Sequence, residues 1–514
     1  MTNMAITRRG FMKAAATATA ALGVAGAPVL LDEVDQAFAD SIPKREKHKT
    51  ACHGCTNCCP VCVYTEDGVV VKIEGDPDGP LNKGGVCLKC LSQIQTVYSP
   101  RHVLHPMKRV GDRGQNQWEA ISWDEATDLA GEQIATAVEK YGPYSYWSAR
   151  GGGGAYIEWE TWGLDYTFGG CNSLASGACQ CAMPRDFVST TSVGFNCCVD
   201  MDNVDRWVGV VDNAELDGKR RDDTERVFVL WGSQPHSSKA AHGGHGLVDA
   251  RSNLGVKSVV VDPYLTAEAA KADVWLPVRP GSDCALMLSW IRYIIDQKAY
   301  DEPFVKYWTN LPFLINPDTR LAYRAEEVWP DYVNPAADPD DVYDTPAYVC
   351  FDARTNTIQP FPFTAPGDSP VDPVVFATAT VNGKEAKTAG QIYWEEAEPW
   401  TLEAAAETCW LKPEKIQEAI ELYINADFGG ISNGVFSDHQ ENSSTAPLGA
   451  LAIDSLLGFV ETPLSAFQNH GPASLTPDRP TVRTGVFSTS FERYGLGWTT
   501  GLTKGENDRM FCTS

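Results

Sequence analysis

Basic charge is scarce in this chain: 42 Lys and Arg stand against 67 Asp and Glu, a formal net charge of −25 with a pI near 4.7. A nucleic-acid backbone and an anionic membrane surface both require a basic footprint, so no nucleic-acid partner is expected. Beyond the N-terminal segment no apolar run approaches the roughly 20 residues that cross a bilayer. Internal repeats are missing too, and so is the G-x-G-x-x-G run of the usual dinucleotide fold. What is present is length. At 514 residues the chain exceeds what one hydrophobic core serves, and two to four domains are expected. With 43% hydrophobic and 21% charged residues, its composition is ordinarily globular.

Thr7-Arg8-Arg9-Gly10-Phe11-Met12-Lys13, an Ala-rich apolar stretch to about Leu31, and the small-x-small site Ala37-Phe38-Ala39 read as a twin-arginine export signal over 1–39. Its removal deletes three basic and three acidic residues and leaves the charge at −25. The expectation is a soluble protein, periplasmic or on the outer face of the cytoplasmic membrane, delivered by the twin-arginine machinery. That route carries folded chains, which suits a cofactor inserted before export. Sixteen cysteines in an exported protein suggest disulfides, but seven of them crowd between Cys52 and Cys90. A disulfide scaffold spreads its cysteines more evenly.

Residues 41–50 read as a polar linker and 45–110 as a compact cysteine-rich domain, with a strand at Val69–Gly75 closing in the turn Asp76-Pro77-Asp78-Gly79. Ser122 and Glu125 form a capping-box pattern that opens a helix running to Tyr141-Gly142-Pro143. A region over 111–225 follows, and its Gly-, aromatic- and Cys-rich interval 145–200 has the look of a long functional loop. From 226 to 300 the pattern is strand (Val227–Trp231), helix (239–252), strand (Val256–Val261), which argues for a parallel α/β domain. Residues 301–400 are Pro- and Asp-rich with weak strands, an insertion or separate lobe. Residues 401–514 resume the α/β pattern with a helix at Pro413–Asn425, a strand at Ile431–Val435 and an apolar segment at Leu448–Leu457.

The strongest chemical signal is Cys52-x2-Cys55-x3-Cys59 with a distant Cys87. A cubane iron–sulfur cluster needs four converging thiolates, and three close cysteines plus one remote one supply them. Cys58 and Cys62 are alternatives to Cys59 as the third ligand. A zinc ribbon made of Cys52-x2-Cys55 and Cys87-x2-Cys90 is the rival, but its 31-residue spacer exceeds the usual roughly 15–20.

A second signal spans about 55 residues: Trp231-Gly232-Ser233-Gln234-Pro235, then Asp262-Pro263-Tyr264-Leu265-Thr266, then Ala272-Asp273 through Arg279-Pro280-Gly281-Ser282-Asp283-Cys284-Ala285-Leu286. An acid just past a strand of an open α/β sheet can take ribose or base donors. These runs, with the cysteine spacing, resemble the dimethyl-sulfoxide-reductase superfamily of molybdopterin oxidoreductases, whose pattern is W-G-x-N-P, D-P-R-x-T and A-D-x-x-L-x-x-R-P-G-T-D-x-A-L. Gln234 and Tyr264 stand where Asn and Arg are commoner, and Cys90 where Gly follows the basic residue.

The resemblance implies a multidomain, mixed α/β fold: a small iron–sulfur domain followed by interleaved Rossmann-like domains. It implies a [4Fe–4S] cluster and molybdenum or tungsten bis-molybdopterin guanine dinucleotide. Lys89 would lie between cluster and pterin. Trp231, Gly232, Ser233, Gln234, Asp262, Pro263, Arg279, Gly281 and Asp283 would hold one guanosine half. The protein's own metal ligand is expected after Asn172, with Cys179 first, then Cys181 and Ser176; a buried structural cysteine is the alternative. His236, His242 and His245 read as surface or phosphate-side residues, and Ser437–Asn442 resembles a segment that reaches the cofactor. Relatives continue into a β-rich domain, so a fragment, or a remainder on another chain, is expected.

The Ala51–Asp76 motif and the 147–171 interval look most like the branch holding acetylene hydratase and the catechol dehydroxylases. The reaction expected is reductive removal of an aromatic hydroxyl, with Tyr156, Trp159 and Trp162 as a ring lining and Glu158, Glu160 and Asp165 as nearby acids. A hydratase, an oxyanion or S-oxide reductase, and an inactive cofactor-binding fragment are the alternatives. An iron–sulfur or membrane-anchor subunit is the expected electron partner.

Overall fold

The computed structural model describes residues 44–55, 59–79, 82–150, 173–175, 184–185, 188, 225–238, 240–335, 346–362 and 366–460. The export signal, Cys58, the ring lining and nearby acids at 156–165, Ser176, Cys179 and Cys181 lie outside the described residues.

The cysteine-rich unit is an antiparallel sheet of β1 (Arg45–Ala51), β2 (Pro60–Glu66) and β3 (Val69–Gly75), followed by two short helices, α1 (Leu88–Leu91) and α2 (Gln93–Val97). The polar 41–50 segment, read above as a linker, is thus largely a strand. Its exposed face is carried by cross-strand partners, including Arg45 on Glu66 and His48 on Thr65. Polarity alone had suggested a linker because this edge strand is exposed at nearly every position and buries almost nothing.

A two-stranded ribbon, β4 (Met107–Arg109) and β5 (Trp118–Ala120), leads into α3 (Trp123–Tyr141). Ser122 caps this helix by accepting from the Glu125 amide at 3.1 Å. The reciprocal half of the predicted box is not made: the Glu125 carboxylate accepts from Lys108 instead. Strands β6 (Ser148–Arg150) and β7 (Ser173–Ala175) form a short parallel pair.

The main α/β unit begins at β8 (Arg226–Trp231), buried at every position. After α4 (Pro235–Ser238), the predicted helix over 239–252 is divided into a π-helical turn at Ala240–Gly244 and α5 (His245–Leu254). Strands β9 (Lys257–Val261) and β10 (Val274–Leu276) follow, then α6 (Asp283–Asp296) and α7 (Glu302–Tyr307). Next comes the 301–400 stretch, with α8 (Ala325–Val328) among five short strands: β11 (Leu314–Ile315), β12 (Tyr348–Asp352), β13 (Thr357–Phe361), β14 (Thr378–Val381) and β15 (Lys384–Thr388). Helices α9 (Ala389–Ala397), α10 (Leu402–Cys409) and α11 (Pro413–Ile424) lead to β16 (Phe428–Asn433) and α12 (Thr445–Leu456). Pro413 occupies the first turn of its helix, where a missing N–H costs nothing.

The sheet order is β10-β9-β8-β16, all parallel. The chain runs outward from β8 to β10 on one side, and β16 returns to β8 on the other. The order therefore reverses between β8 and β16, which is where open α/β sheets place their ligands. Trp231, Trp290, Tyr423 and the aliphatic side chains of α6 and α12 pack one face of this sheet, and Phe228, Leu230, Leu247 and Val260 the other. Fully burying each such side chain stabilises by about 1.5–3 kcal/mol. Among the described residues no helix is long and apolar enough to cross a membrane.

Candidate functional site

The cysteine cage is assembled from a loop and a helix start. The backbone of Cys52 donates to the Cys59 carbonyl at 2.9 Å, closing the loop that carries Cys55. Cys87 caps α1 and Cys90 sits one turn into it. Cys52, Cys59 and Cys90 are buried together against Val61 and Ala241, with Cys87 packed on them. Burial, then Cys55, Cys52 and Cys87, push the Cys59 thiol up to about 11. Burial, then the adjoining Cys52, push Cys90 up to about 12. The amide of Gly54 donates to the Cys52 sulfur at 3.4 Å.

Cys62 is not part of this group. Strand alternation turns it to the opposite face of β2 from Val61, beside Lys47. Cys59 is the residue brought to the other thiols, and Cys90 joins them as a fifth. Among the described residues no three His, Cys, Asp or Glu side chains converge as the ligands of a single ion do. A group of thiols, three of them buried, with an N–H aimed at one sulfur, has the donor chemistry an iron–sulfur cluster requires.

Lys89 leaves the cage. Its ammonium donates to the Ser238 carbonyl at 2.8 Å, a contact across 149 positions. Ser238 ends α4, directly after the Trp231–Gln234 run, so Lys89 physically joins the two sites the sequence had picked out separately.

The carboxyl edge of the main sheet carries the second site. Gly232 has φ +58°, and a Cβ there would lie 2.2 Å from the Phe436 ring. Opposite it, a Cβ on Gly434 would lie 1.8 Å from the Gly232 carbonyl oxygen. Only glycines let β8 and β16 approach this closely at the switch point.

Trp231 donates its indole N–H to Asp283 at 2.7 Å, so the turn from Arg279 to Asp283 is anchored back onto the end of β8. Asp262 is buried at the end of β9. Burial pushes both carboxyls, Asp262 and Asp283, above their usual range, although each accepts hydrogen bonds. The two departures from the family pattern meet each other here: Gln234 donates to the Tyr264 hydroxyl at 2.6 Å and also reaches Asp262 at 3.4 Å. Ser233 is half-buried beside them, while Pro263, Arg279 and Gly281 are exposed on the rim. Acid acceptors, amide donors and an exposed guanidinium on one edge suit a nucleotide.

Three features escaped the sequence reading. Glu268, buried, accepts from both the backbone and the ring of His236, at 2.8 and 3.0 Å. Burial alone would raise its carboxyl, but the His236 bonds outweigh that and hold it below the usual range. His236 is therefore a tether of its loop, and His245 pairs with Asp249 on its own helix. Second, Arg185, just after the Cys179–Cys181 interval, clasps the wholly buried Asp438 carboxylate at 2.6 Å and the Asn433 carbonyl at 2.8 Å. No local pattern announces a pair 253 residues apart. Third, Trp410 stands in a left-handed conformation against Arg279.

The chain is similar to several known proteins. A putative dimethyl sulfoxide reductase catalytic chain from Halobacterium salinarum is 29% identical over 449 residues, 84% of this chain and 50% of that protein. The dopamine dehydroxylase of Eggerthella lenta is 30% identical over 321 residues, 62% of this chain and 30% of the relative. Acetylene hydratase from Pelobacter acetylenicus shares the fold, with a TM-score of 0.54 at 19% identity, over 81% of this chain and 44% of that one. The chain spans half or less of the length of these relatives. The molybdopterin oxidoreductase model matches residues 103–394 and its Fe4S4-domain model residues 46–99; the chain belongs to this family, within the dimethyl-sulfoxide-reductase superfamily, with molybdopterin and a [4Fe–4S] cluster as its cofactors.

Proposed function

We propose that this chain carries out the two-electron reduction of a small organic molecule, and that its substrate is a catechol whose ring hydroxyl is replaced by hydrogen. The balance is one aromatic C–OH, two electrons and two protons in, and one C–H and one water out. The observation that carries the reductive reading is the Lys89–Ser238 contact, which fixes the cysteine cage against the loop that opens the nucleotide edge. The cofactors supply a two-electron metal centre and a one-electron relay.

The chain's own residues do the holding. Cys52, Cys55, Cys59 and Cys87 are the cluster ligands in this reading, and Cys179, with Cys181 behind it, is the protein ligand to molybdenum. Trp231, Gly232, Ser233, Gln234, Asp262, Pro263, Arg279, Gly281 and Asp283 take one guanosine half of a guanine dinucleotide form of the cofactor. Asp262 offers an acceptor from within a buried setting, where competition from water is weak. Arg279 offers a planar donor suited to phosphate. Export through the Arg8-Arg9 signal and an iron–sulfur or membrane-anchored electron donor belong to the same proposal.

The dopamine dehydroxylase relative supports the catechol assignment. The Halobacterium relative, matching more of the chain, supports a second reading, reduction of an S-oxide to a sulfide with release of water.

Chain purified without oxygen is to be analysed for iron and molybdenum, then supplied with reduced viologen and panels of catechols and S-oxides. Dye oxidation with catechols alone supports dehydroxylation, and oxidation with S-oxides alone replaces it by the second reading. A loaded protein that oxidises dye with neither, or turns over without any donor, refutes the reductive assignment.

A further inference from the structure

Helix α10 ends at Cys409, and the next position, Trp410, has φ +59° and ψ +35°. This is the left-handed site that helices normally give to glycine, because a Cβ there crowds the following carbonyl. A bulky aromatic is an outlier in that conformation. Nor does burial explain it, since Trp410 is 73% exposed. A strained and exposed ring at the rim of a site calls for a role.

Its neighbour supplies one. The Arg279 guanidinium lies 5.3 Å from the centre of the Trp410 ring. The same turn also binds the arginine by its backbone: the Arg279 amide donates to the Cys409 carbonyl at 3.0 Å, and its guanidinium reaches the Thr408 carbonyl at 3.4 Å. The Cys409 thiol reaches the Ser282 carbonyl at 3.5 Å. So the end of α10 clamps the Arg279–Asp283 turn from outside the sheet, while Trp231 anchors that turn from inside through Asp283. Arg279 follows β10 and therefore stands at the same carboxyl edge as Asp262 and Gly232. An exposed arginine explores many rotamers, and each must be given up when it grips an anion. A ring fixed beneath the guanidinium removes part of that loss in advance.

We propose that Trp410 is a positioning residue for the nucleotide end of the cofactor, holding Arg279 in the orientation that receives a phosphate. This rests on the assignment of the Arg279 edge to the guanosine half. Loss of an exposed cation–π contact corresponds to about a two- to fivefold weakening.

The test follows loss of guanine nucleotide and molybdenum from the loaded protein on dilution. Parent, Trp410→Gly, Trp410→Tyr and Arg279→Ala are compared, with iron content and thermal midpoint measured in parallel. Trp410→Gly relieves the left-handed strain, so its midpoint is expected to rise or hold, while nucleotide and molybdenum leave about two- to fivefold faster. Iron stays constant. Trp410→Tyr keeps a ring and restores most of the retention without relieving strain. If Trp410→Gly retains the cofactor like the parent while Arg279→Ala sheds it, Trp410 has no positioning role and the proposal falls alone. If Arg279→Ala also retains it, the guanosine assignment of this edge fails and the proposal falls with it. A Trp410→Tyr variant as leaky as Trp410→Gly likewise overturns it.

Discussion

Replacing Gly232 by alanine tests the switch point directly. Two independent costs are built into the geometry. A non-glycine residue at φ +58° pays about 1–2 kcal/mol for the left-handed conformation. The new methyl then falls 2.2 Å from the Phe436 ring, well inside contact distance, and overpacking of this kind costs about 1–3 kcal/mol. The sum is about 2–5 kcal/mol. Urea unfolding followed by tryptophan fluorescence is the assay, because Trp231 and Trp290 sit buried beside each other, with ring centres 5.8 Å apart, in the core behind this edge. Pairing the change with Phe436→Ala separates the costs. The steric part should vanish as a coupling of about 1–3 kcal/mol, and the conformational part should remain. A Gly232→Ala protein within about 0.5 kcal/mol of its parent, the range of ordinary surface changes, would show that β8 and β16 do not meet as described.

Cys59→Ser should lose the cluster and its visible absorbance, whereas Cys62→Ser, on the opposite face of β2, should keep a full iron content; equal loss in both sinks the assignment. Arg185→Ala strands the buried Asp438 carboxylate and should cost about 3–5 kcal/mol. That deficit should be larger at pH 8 than at pH 5, since burial already raises the Asp438 carboxyl and acid neutralises it; a deficit independent of pH contradicts the pairing. Asp454, fully buried and bonded to Tyr423 and to the Ile431 amide, is raised from 3.8 to about 7. Relative to Asp454→Asn, the parent should therefore lose up to about 1.4 kcal/mol per pH unit as pH rises between those values, and a flat difference in urea titrations refutes it. Glu268→Ala frees the His236 loop, and iron and guanine nucleotide should both be retained less well, whereas Asp262→Ala should affect nucleotide alone; loss of only one from the Glu268 variant disproves the shared tether.

Much of this architecture was legible because the signals are local. Val227–Trp231 and Val256–Val261 are short apolar runs bounded by turns, and β8 and β9 lie within a residue of them. Pro413 marked its helix, and Ser122 marked another. The boundaries drifted where backbone demands overrode the pattern. The strand read at Ile431–Val435 is β16, Phe428–Asn433, because Gly429 and Gly430 extend pairing with β8 and Gly434 ends it at the close approach to Gly232. The helix read as 239–252 breaks at a π turn where Ala241 packs on the cysteine cage. Cys62 was indistinguishable from Cys59 by spacing, and strand alternation separates them. Arg185 with Asp438, Glu268 with His236 and Trp410 with Arg279 were invisible for a common reason. Each is a tertiary pair whose members carry no shared period.

The segment from Gly232 to Ala241 ties the two sites into one device. Its first residues turn off β8 at the carboxyl edge of the sheet, with Gln234 engaged by Tyr264. Four residues on, Ser238 receives Lys89 from the cysteine unit, and Ala241 closes the thiol pocket. Glu268 fixes its middle through His236. Beside these contacts, the surface Lys83–Asp249 approach of 3.8 Å adds well under about 1 kcal/mol. In the function proposed above, the cluster and the guanosine half of the cofactor would then both be held from one short stretch of chain. That gives a physical reason for Lys89 to sit two positions after Cys87: a donor there reaches across to the Ser238 carbonyl on the loop that leaves β8.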